Sequence, residues 1–412
     1  MNMEDPIKTA LENAVNVGDL AGLVTLVWHD SKVIQTANVG WRDQEAKLPM
    51  ERNTLFRIAS MTKPITSMAA LMLCEEGRFA LDEPITHWAP EFSQMRVLRS
   101  PTGSLDQTDP ADRPITFEDL LTHRSGLTYG SLHTGPLATA FDVALGSDID
   151  SELSPDEWIA RLAALPLIDQ PGAGFHYGHS TDLLGFLIAR IAGIPFGTVL
   201  KQRIFEPLGM QDTGFIVPPE KRARRATMYG FTDTGHLTPR PRGVLASGQA
   251  ATLLNERPND LAYVSGGQGL WSTADDYLTF ARMFLGDGAV DGVRLLRPET
   301  LALMMTNRLT ASQRARATLL GFPVFPAHGF GMGVAVVLDP EKAAPIHCRG
   351  GIGTVGWPGA FGGWWQADPT NGSAMILLAQ NMIEVHQFAQ GIGLGIYSTI
   401  TEFHKLASAA LH

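Results

Sequence analysis

Apolar residues along this chain fall into two periods, and the order in which they alternate sketches a fold. Residues 6–17 have the spacing of a short amphipathic helix. Two β-rich runs follow, 21–28 and 33–41, and His29-Asp30-Ser31-Lys32 between them predicts a hairpin turn. A long apolar helix begins after Ser60, runs through Met68–Leu73 and stops at Gly77. Pro64 falls in its first turn, where a missing amide proton costs little. Residues 93–114 are rich in Ser, Pro, Gly, Asp and Arg and read as one long loop, of the length that is usually functional or mobile.

The next helix starts near Ile115, with Thr116 as N-cap and Asp119 at the capping-box position. Helices are expected at 155–166 and 181–192, the second with Leu183, Leu184, Phe186, Leu187 and Ile191 facing a core. Residues 231–262 read as loop. Ser272–Tyr277 opens a helix to about Leu285, and its paired aspartates, Asp275 and Asp276, are read as first-turn capping and dipole partners. Strands are expected at 330–338, 359–367 and 373–380, the last two joined by the turn 368–372, and a terminal helix at 383–410.

Strands, a helical middle, then strands predict an α+β fold: an antiparallel sheet built from both ends of the chain and flanked by helices, beside a mostly helical part. The division expected is 1–85 with 230–412 for the sheet domain and 86–229 for the helical domain, with a site in the cleft between them.

Composition narrows the function. The 412 residues carry a net charge of −10, which argues against a nucleic-acid partner, whose phosphates demand a basic surface. The basic run Lys221–Arg225 follows two prolines and reads as a solvated loop or helix start. Two cysteines, Cys74 and Cys348, give no disulfide framework, and Cys74 reads as a core residue. The acidic N-terminus lacks the features of a secretory signal, so a cytoplasmic location is expected, and no apolar run is long enough to cross a membrane.

One motif carries chemistry. Ser60-Met61-Thr62-Lys63 puts a hydroxyl and an amine three residues apart at a helix start, on one helical face. A serine becomes nucleophilic when a neighbouring base takes its proton, and S-x-x-K is the nucleophile motif of penicillin-recognising serine enzymes. By itself it equally describes a helix serine with a solvated lysine one turn on. Such a site also needs a proton shuttle, an oxyanion hole and a cleft. Tyr177, in the glycine-loosened segment 171–180, is the shuttle candidate, and half-burial in a loop is the plainer reading of the same residue. The Ser60 amide at a helix N-terminus is one oxyanion donor. The glycine-rich stretch 350–360 leads into a strand and is a source for the second.

Competing motifs are absent from the sequence: no G-x-S-x-G elbow and no H-E-x-x-H. His176 and His179 have ligand-like spacing without accompanying ligands, Gly266-Gly267-Gln268-Gly269 reads as a tight turn, and no metal or cofactor is expected.

Together these residues resemble a known family. Phe56–Pro64, the continuation to Gly77 and Leu81–Pro84, Thr116–Leu127, Gly266–Leu285 and Leu296–Thr300 are similar to the corresponding segments of family VIII carboxylesterases, relatives of penicillin-binding proteins and class C β-lactamases. The resemblance implies Ser60 as acylated nucleophile, with Lys63 and Tyr177 sharing the proton work and the choice of base left open between them. It implies that Trp357-Pro358-Gly359 replaces K-T-G or H-x-G, and that the Ala360 amide is the second oxyanion donor. The family's Tyr-x-Asn reads Tyr177-Gly178-His179 here, so the asparagine that holds a substrate amide is missing, as is the K-T-G lysine. Both departures suit a neutral ester. Substrate contacts are expected from Trp357, Gly359, His179 and Tyr129, with Trp271, Trp364 and Trp365 as further lining candidates or core residues.

The expected function is therefore hydrolysis of short-chain acyl esters, with a small-molecule ester as the partner and the oligomeric state open. Amide hydrolysis (a β-lactam, a D-amino-acid peptide, a small linear amide), acyl transfer, and a non-catalytic penicillin-binding-like sensor are the alternatives.

Overall fold

The computed structural model describes residues 5–146, 149–240, 242–244, 250–254, 262–343 and 349–411. Cys348 and much of the expected loop 231–262 lie outside them.

An eight-stranded antiparallel sheet organises the molecule. Its strands, in chain order, are β1 (Gly22–His29), β2 (Lys32–Asp43), β3 (Leu48–Pro49), β4 (His328–Phe330), β5 (Ala335–Val337), β6 (Val355–Gly359), β7 (Gly363–Asp368) and β8 (Ser373–Ala379). The spatial order is β4-β5-β6-β7-β8-β1-β2-β3. β1 is central and pairs with β8 in the register Leu26↔Ile376 and Val24↔Leu378. It is apolar almost throughout because both faces of the sheet are covered. Val24, Leu26, Ile376, Leu378 and Trp365 face the larger core. Leu23, Val27, Met375, Leu377 and Trp364 face α1 (Pro6–Asn16) and α8 (Gly395–Ala409). The β1–β2 turn has Asp30 and Ser31 at φ +49° and +61°. Two left-handed residues make the primed two-residue turn that matches strand twist.

The remaining helices used below are α2 (Thr62–Glu75), α3 (Phe117–Leu121), α4 (Pro155–Ala163), α5 (Ser180–Ala192), α6 (Ala274–Arg282) and α7 (Val385–Ala389). Thr116 caps α3 in a reciprocal box with Asp119, and Thr273 caps α6. No single helix among the described residues is long and apolar enough to cross a membrane.

Five expectations change. The run 93–114 is not one loop: Arg96–Leu98 pairs with Thr108–Pro110 as a small hairpin. Residues 330–338 are two strands, because the chain bends between Phe330 and Ala335, with Gly333 at φ +86°. The strand placed at 359–367 is also split: β6 ends at Gly359 and β7 starts at Gly363, across a turn with Gly362 at φ +85°. Residues 383–410 form α7 and α8, separated at Gly391 and Gly393, both left-handed. Within 231–262, Leu237–Pro239 pairs with Tyr229–Phe231.

Candidate active site

Ser60 sits in a single 3₁₀ turn, Ala59–Met61, immediately before α2. Ala59 has φ +44° and is fully buried. A left-handed alanine is a costly conformation that the surroundings must hold. They do so from several elements. The Ile58 amide donates to the Leu270 carbonyl at 3.0 Å. The Leu270 amide donates to Thr62 Oγ1 at 3.2 Å, and the Tyr277 hydroxyl donates to the Met61 carbonyl at 2.7 Å. From α2, Thr66 Oγ1 donates to the Gly266 carbonyl at 2.7 Å.

Lys63, in the first turn of α2, is fully buried. Its Nζ lies 3.2 Å from Ser60 Oγ, 3.1 Å from the Tyr129 hydroxyl and 2.8 Å from the Gly267 carbonyl. The carbonyl can only accept, so one N–H is fixed there. Both hydroxyls can donate or accept. The arrangement therefore fits an amine that takes the Ser60 proton.

Behind this pair stands Asp182, buried in the first turn of α5. Its Oδ2 is 3.3 Å from the Tyr129 hydroxyl and 3.1 Å from His179 Nδ1. Its Oδ1 accepts from the Gly267 amide at 3.0 Å and from Ser265 Oγ. Burial alone would raise this carboxyl. Hydrogen bonding and charge from His179, the Lys63 charge and the Ser265 hydroxyl outweigh it and hold Asp182 below the usual carboxylate range. Gly267 is required by close approach: a Cβ there would lie 2.9 Å from both Asp182 oxygens and from the Tyr129 hydroxyl.

Tyr177 meets Lys63 through its ring, with Nζ 4.5 Å from the centroid. Its hydroxyl accepts a 3.1 Å bond from Trp357 Nε1, so its own proton stays available to another acceptor. Trp357, on β6, packs its ring 5.5 Å from that of Tyr177. Two residues on, Gly359 brings β6 against the nucleophile turn, since a Cβ there would lie 2.6 Å from the Ile58 carbonyl. Ala360 follows in the exposed turn closed by the Gly362 amide on the Gly359 carbonyl at 3.1 Å.

Ser60, Lys63, Tyr129, Tyr177, Trp357 and Gly359 are thus brought together. His179 is not in the cleft wall. It is fully buried, bound to Asp182 and enclosed by the rings of Tyr129, Phe141 and Trp158. The expected substrate contact is corrected: at this position the chain carries internal support, not an amide-recognising group. Trp271, Trp364 and Trp365 are likewise core residues. His176 pairs with Asp169 at 2.9 Å.

Sequence reasoning missed Asp182, Ser265, Gly267 and His123. The signal for Asp182 was an acid on the core-facing stripe of an apolar helix, three residues from a histidine. His123 is fully buried at φ +53°, 4.9 Å from the Tyr177 ring, with Nε2 3.4 Å from Thr181 Oγ1. Burial, and then the Lys63 charge, pushes its imidazole well below the usual value, so it stays neutral.

Comparison with known proteins bears on this geometry. The model of the family described as Beta-lactamase matches residues 7–392. Protein Rv1367c of Mycobacterium tuberculosis is 44% identical over 382 residues, covering 92% of this chain and 90% of its own length. Esterase EstB of Burkholderia gladioli is 32% identical over 388 residues, with 92% and 90% covered. Among solved structures, EstCE1, described as a hydrolase with promiscuous acyltransferase activity, superposes with a TM-score of 0.77 at 27% identity, covering 96% of this chain and 97% of that one.

Proposed function

The chain belongs to the beta-lactamase family, and from that membership we propose that it is a carboxylesterase cleaving short-chain acyl esters through an acyl-enzyme on Ser60. The observation that carries the reading is the 3.2 Å contact between Lys63 Nζ and Ser60 Oγ in a buried network. The esterase relative at 32% identity supports it.

In this reading Ser60 Oγ attacks the ester carbonyl as its proton passes to Lys63. The tetrahedral oxyanion is met by the Ser60 and Ala360 amides. Collapse breaks the bond to the alcohol oxygen, which takes a proton from Tyr177, and the proton taken up by Lys63 balances that loss within the site. Water then repeats the sequence on the acyl-enzyme. Tyr129, tied to Asp182, orients Lys63. His179 is enclosed and position 357 carries a tryptophan in place of a lysine, so neither position supplies the amide or cationic partner of the penicillin type, which favours a neutral ester over an amide.

Acyl transfer is the second reading, favoured by the described activity of EstCE1. It needs only that an alcohol replace water at deacylation.

The test is initial rates on p-nitrophenyl butyrate for wild type, Ser60→Ala and Tyr177→Phe. Loss of about a thousandfold or more for Ser60→Ala, and a large loss for Tyr177→Phe, both with native circular dichroism, is the expected result. Wild-type rates retained by folded Ser60→Ala would refute the assignment. An added alcohol that diverts the acyl group would move the reading to transfer.

A further inference from the structure

A pocket of about 330 Å³ has Tyr177 as one wall and is otherwise lined by residues the reaction does not use. This lies at the small end of ligand-pocket volumes, about 300–1,000 Å³. Leu320, from a short hairpin, and Phe388 and Ala389, from α7, supply apolar surface. His133 and His176 supply imidazole edges. His176 Nε2 is held by Asp169 at 2.9 Å, which fixes the proton on that nitrogen and leaves Nδ1 as the ring atom able to meet a ligand.

The structure assigns this pocket to the alcohol half of the ester, and specifically to a hydroxylated cyclic or branched alcohol. The assignment rests on the esterase reading above. A group that protonates the departing oxygen must stand within hydrogen-bond reach of it. If Tyr177 does so, the alcohol departs beside Tyr177, where the pocket opens. Ring-sized volume and the apolar side chains of Leu320, Phe388 and Ala389 ask for a carbocyclic or branched body rather than an ethyl group. A hydroxyl on that body can donate to or accept from His176 Nδ1, so it is matched in either protonation state of the ring. An alcohol without a second oxygen leaves this edge unanswered.

Three butyrates separate the elements of the proposal: ethyl butyrate, cyclohexylmethyl butyrate, and the monobutyrate of 1,4-cyclohexanedimethanol. Wild type should favour the cyclohexylmethyl ester over ethyl by at least tenfold in kcat/KM, and the hydroxylated ester by several-fold more. Ala389→Phe, at an exposed position of α7, should fill the pocket and bring the first ratio toward one. His176→Phe should collapse the second ratio and spare the first. Free 1,4-cyclohexanedimethanol titrated calorimetrically into Ser60→Ala should bind, and at least tenfold more weakly to Ser60→Ala/Ala389→Phe. Turnover of ethyl butyrate at the same efficiency as both ring esters overturns the pocket and leaves the esterase reading standing. If no ester is turned over but the diol binds and Ala389→Phe removes that binding, the esterase reading falls and the pocket stands. Diol binding unaffected by Ala389→Phe overturns it outright.

Discussion

Ser60 and Lys63 are neighbours because three residues on a helix span one turn, and that much is legible in four letters of sequence. What makes the pair a site comes from elsewhere. The Gly267 carbonyl fixes one lysine proton and Asp182 fixes Tyr129. Tyr129→Phe should therefore leave Lys63 with one polar partner fewer and lower kcat by about 10- to 100-fold, as expected for loss of a group that orients a base, with KM for p-nitrophenyl butyrate nearly unchanged. Trp357→Phe keeps a ring beside Tyr177 but deletes the 3.1 Å donor. One net hydrogen bond of about 1 kcal/mol predicts a loss in kcat/KM of less than about tenfold. A loss of the Ser60→Ala size would mean that the indole does more than hold Tyr177. The roles of Asp182 and Gly267 were not legible for a definite reason. An acid in a first helical turn and a turn with three glycines each have an adequate local explanation, and only the approach of residues 265–267 to α5 gives them another.

Elements were read well where a local device ends them. The Thr116–Asp119 box and the Thr273 cap mark their helices in sequence and in space. Errors fell where left-handed glycines cut an apolar run: Gly333, Gly362, Gly391 and Gly393. Apolar periodicity continues across such a residue although the backbone does not. The first turn of α6 makes a pH-dependent prediction. Burial, aided by the Asp212 charge and opposed by hydrogen bonds from Thr213 and the Asp212 amide, raises the Asp276 carboxyl from 3.8 to about 6. The folded protein then holds this proton more tightly than the unfolded chain. The stability it contributes is complete below about pH 4 and is lost as pH rises through about 6. Asp276→Asn removes that dependence, so thermal denaturation should show the variant gaining on wild type by about 1–3 kcal/mol between pH 4 and pH 8. A constant difference across that range would contradict the shift.

Across the whole molecule, the antiparallel sheet separates two cores. The larger one carries the site on its surface, and the other lies under α1 and α8. Phe403, buried in the second core, tests this separation. Phe403→Ala should destabilise by about 3–5 kcal/mol in denaturant titration, while kcat of the folded fraction stays at the wild-type value. The central seam of that sheet joins Leu23 to Ala379, and β6, which carries Trp357, is reached only after the helical middle has been made. During synthesis on the ribosome the nucleophile segment therefore emerges long before the strands that complete its surroundings. A chain interrupted between residues 63 and 355 would hold Ser60 and Lys63 without β6, β7 or β8. Incomplete translation products should be chemically silent toward esters, and reactivity with an acylating probe should appear only as the last strands join the first.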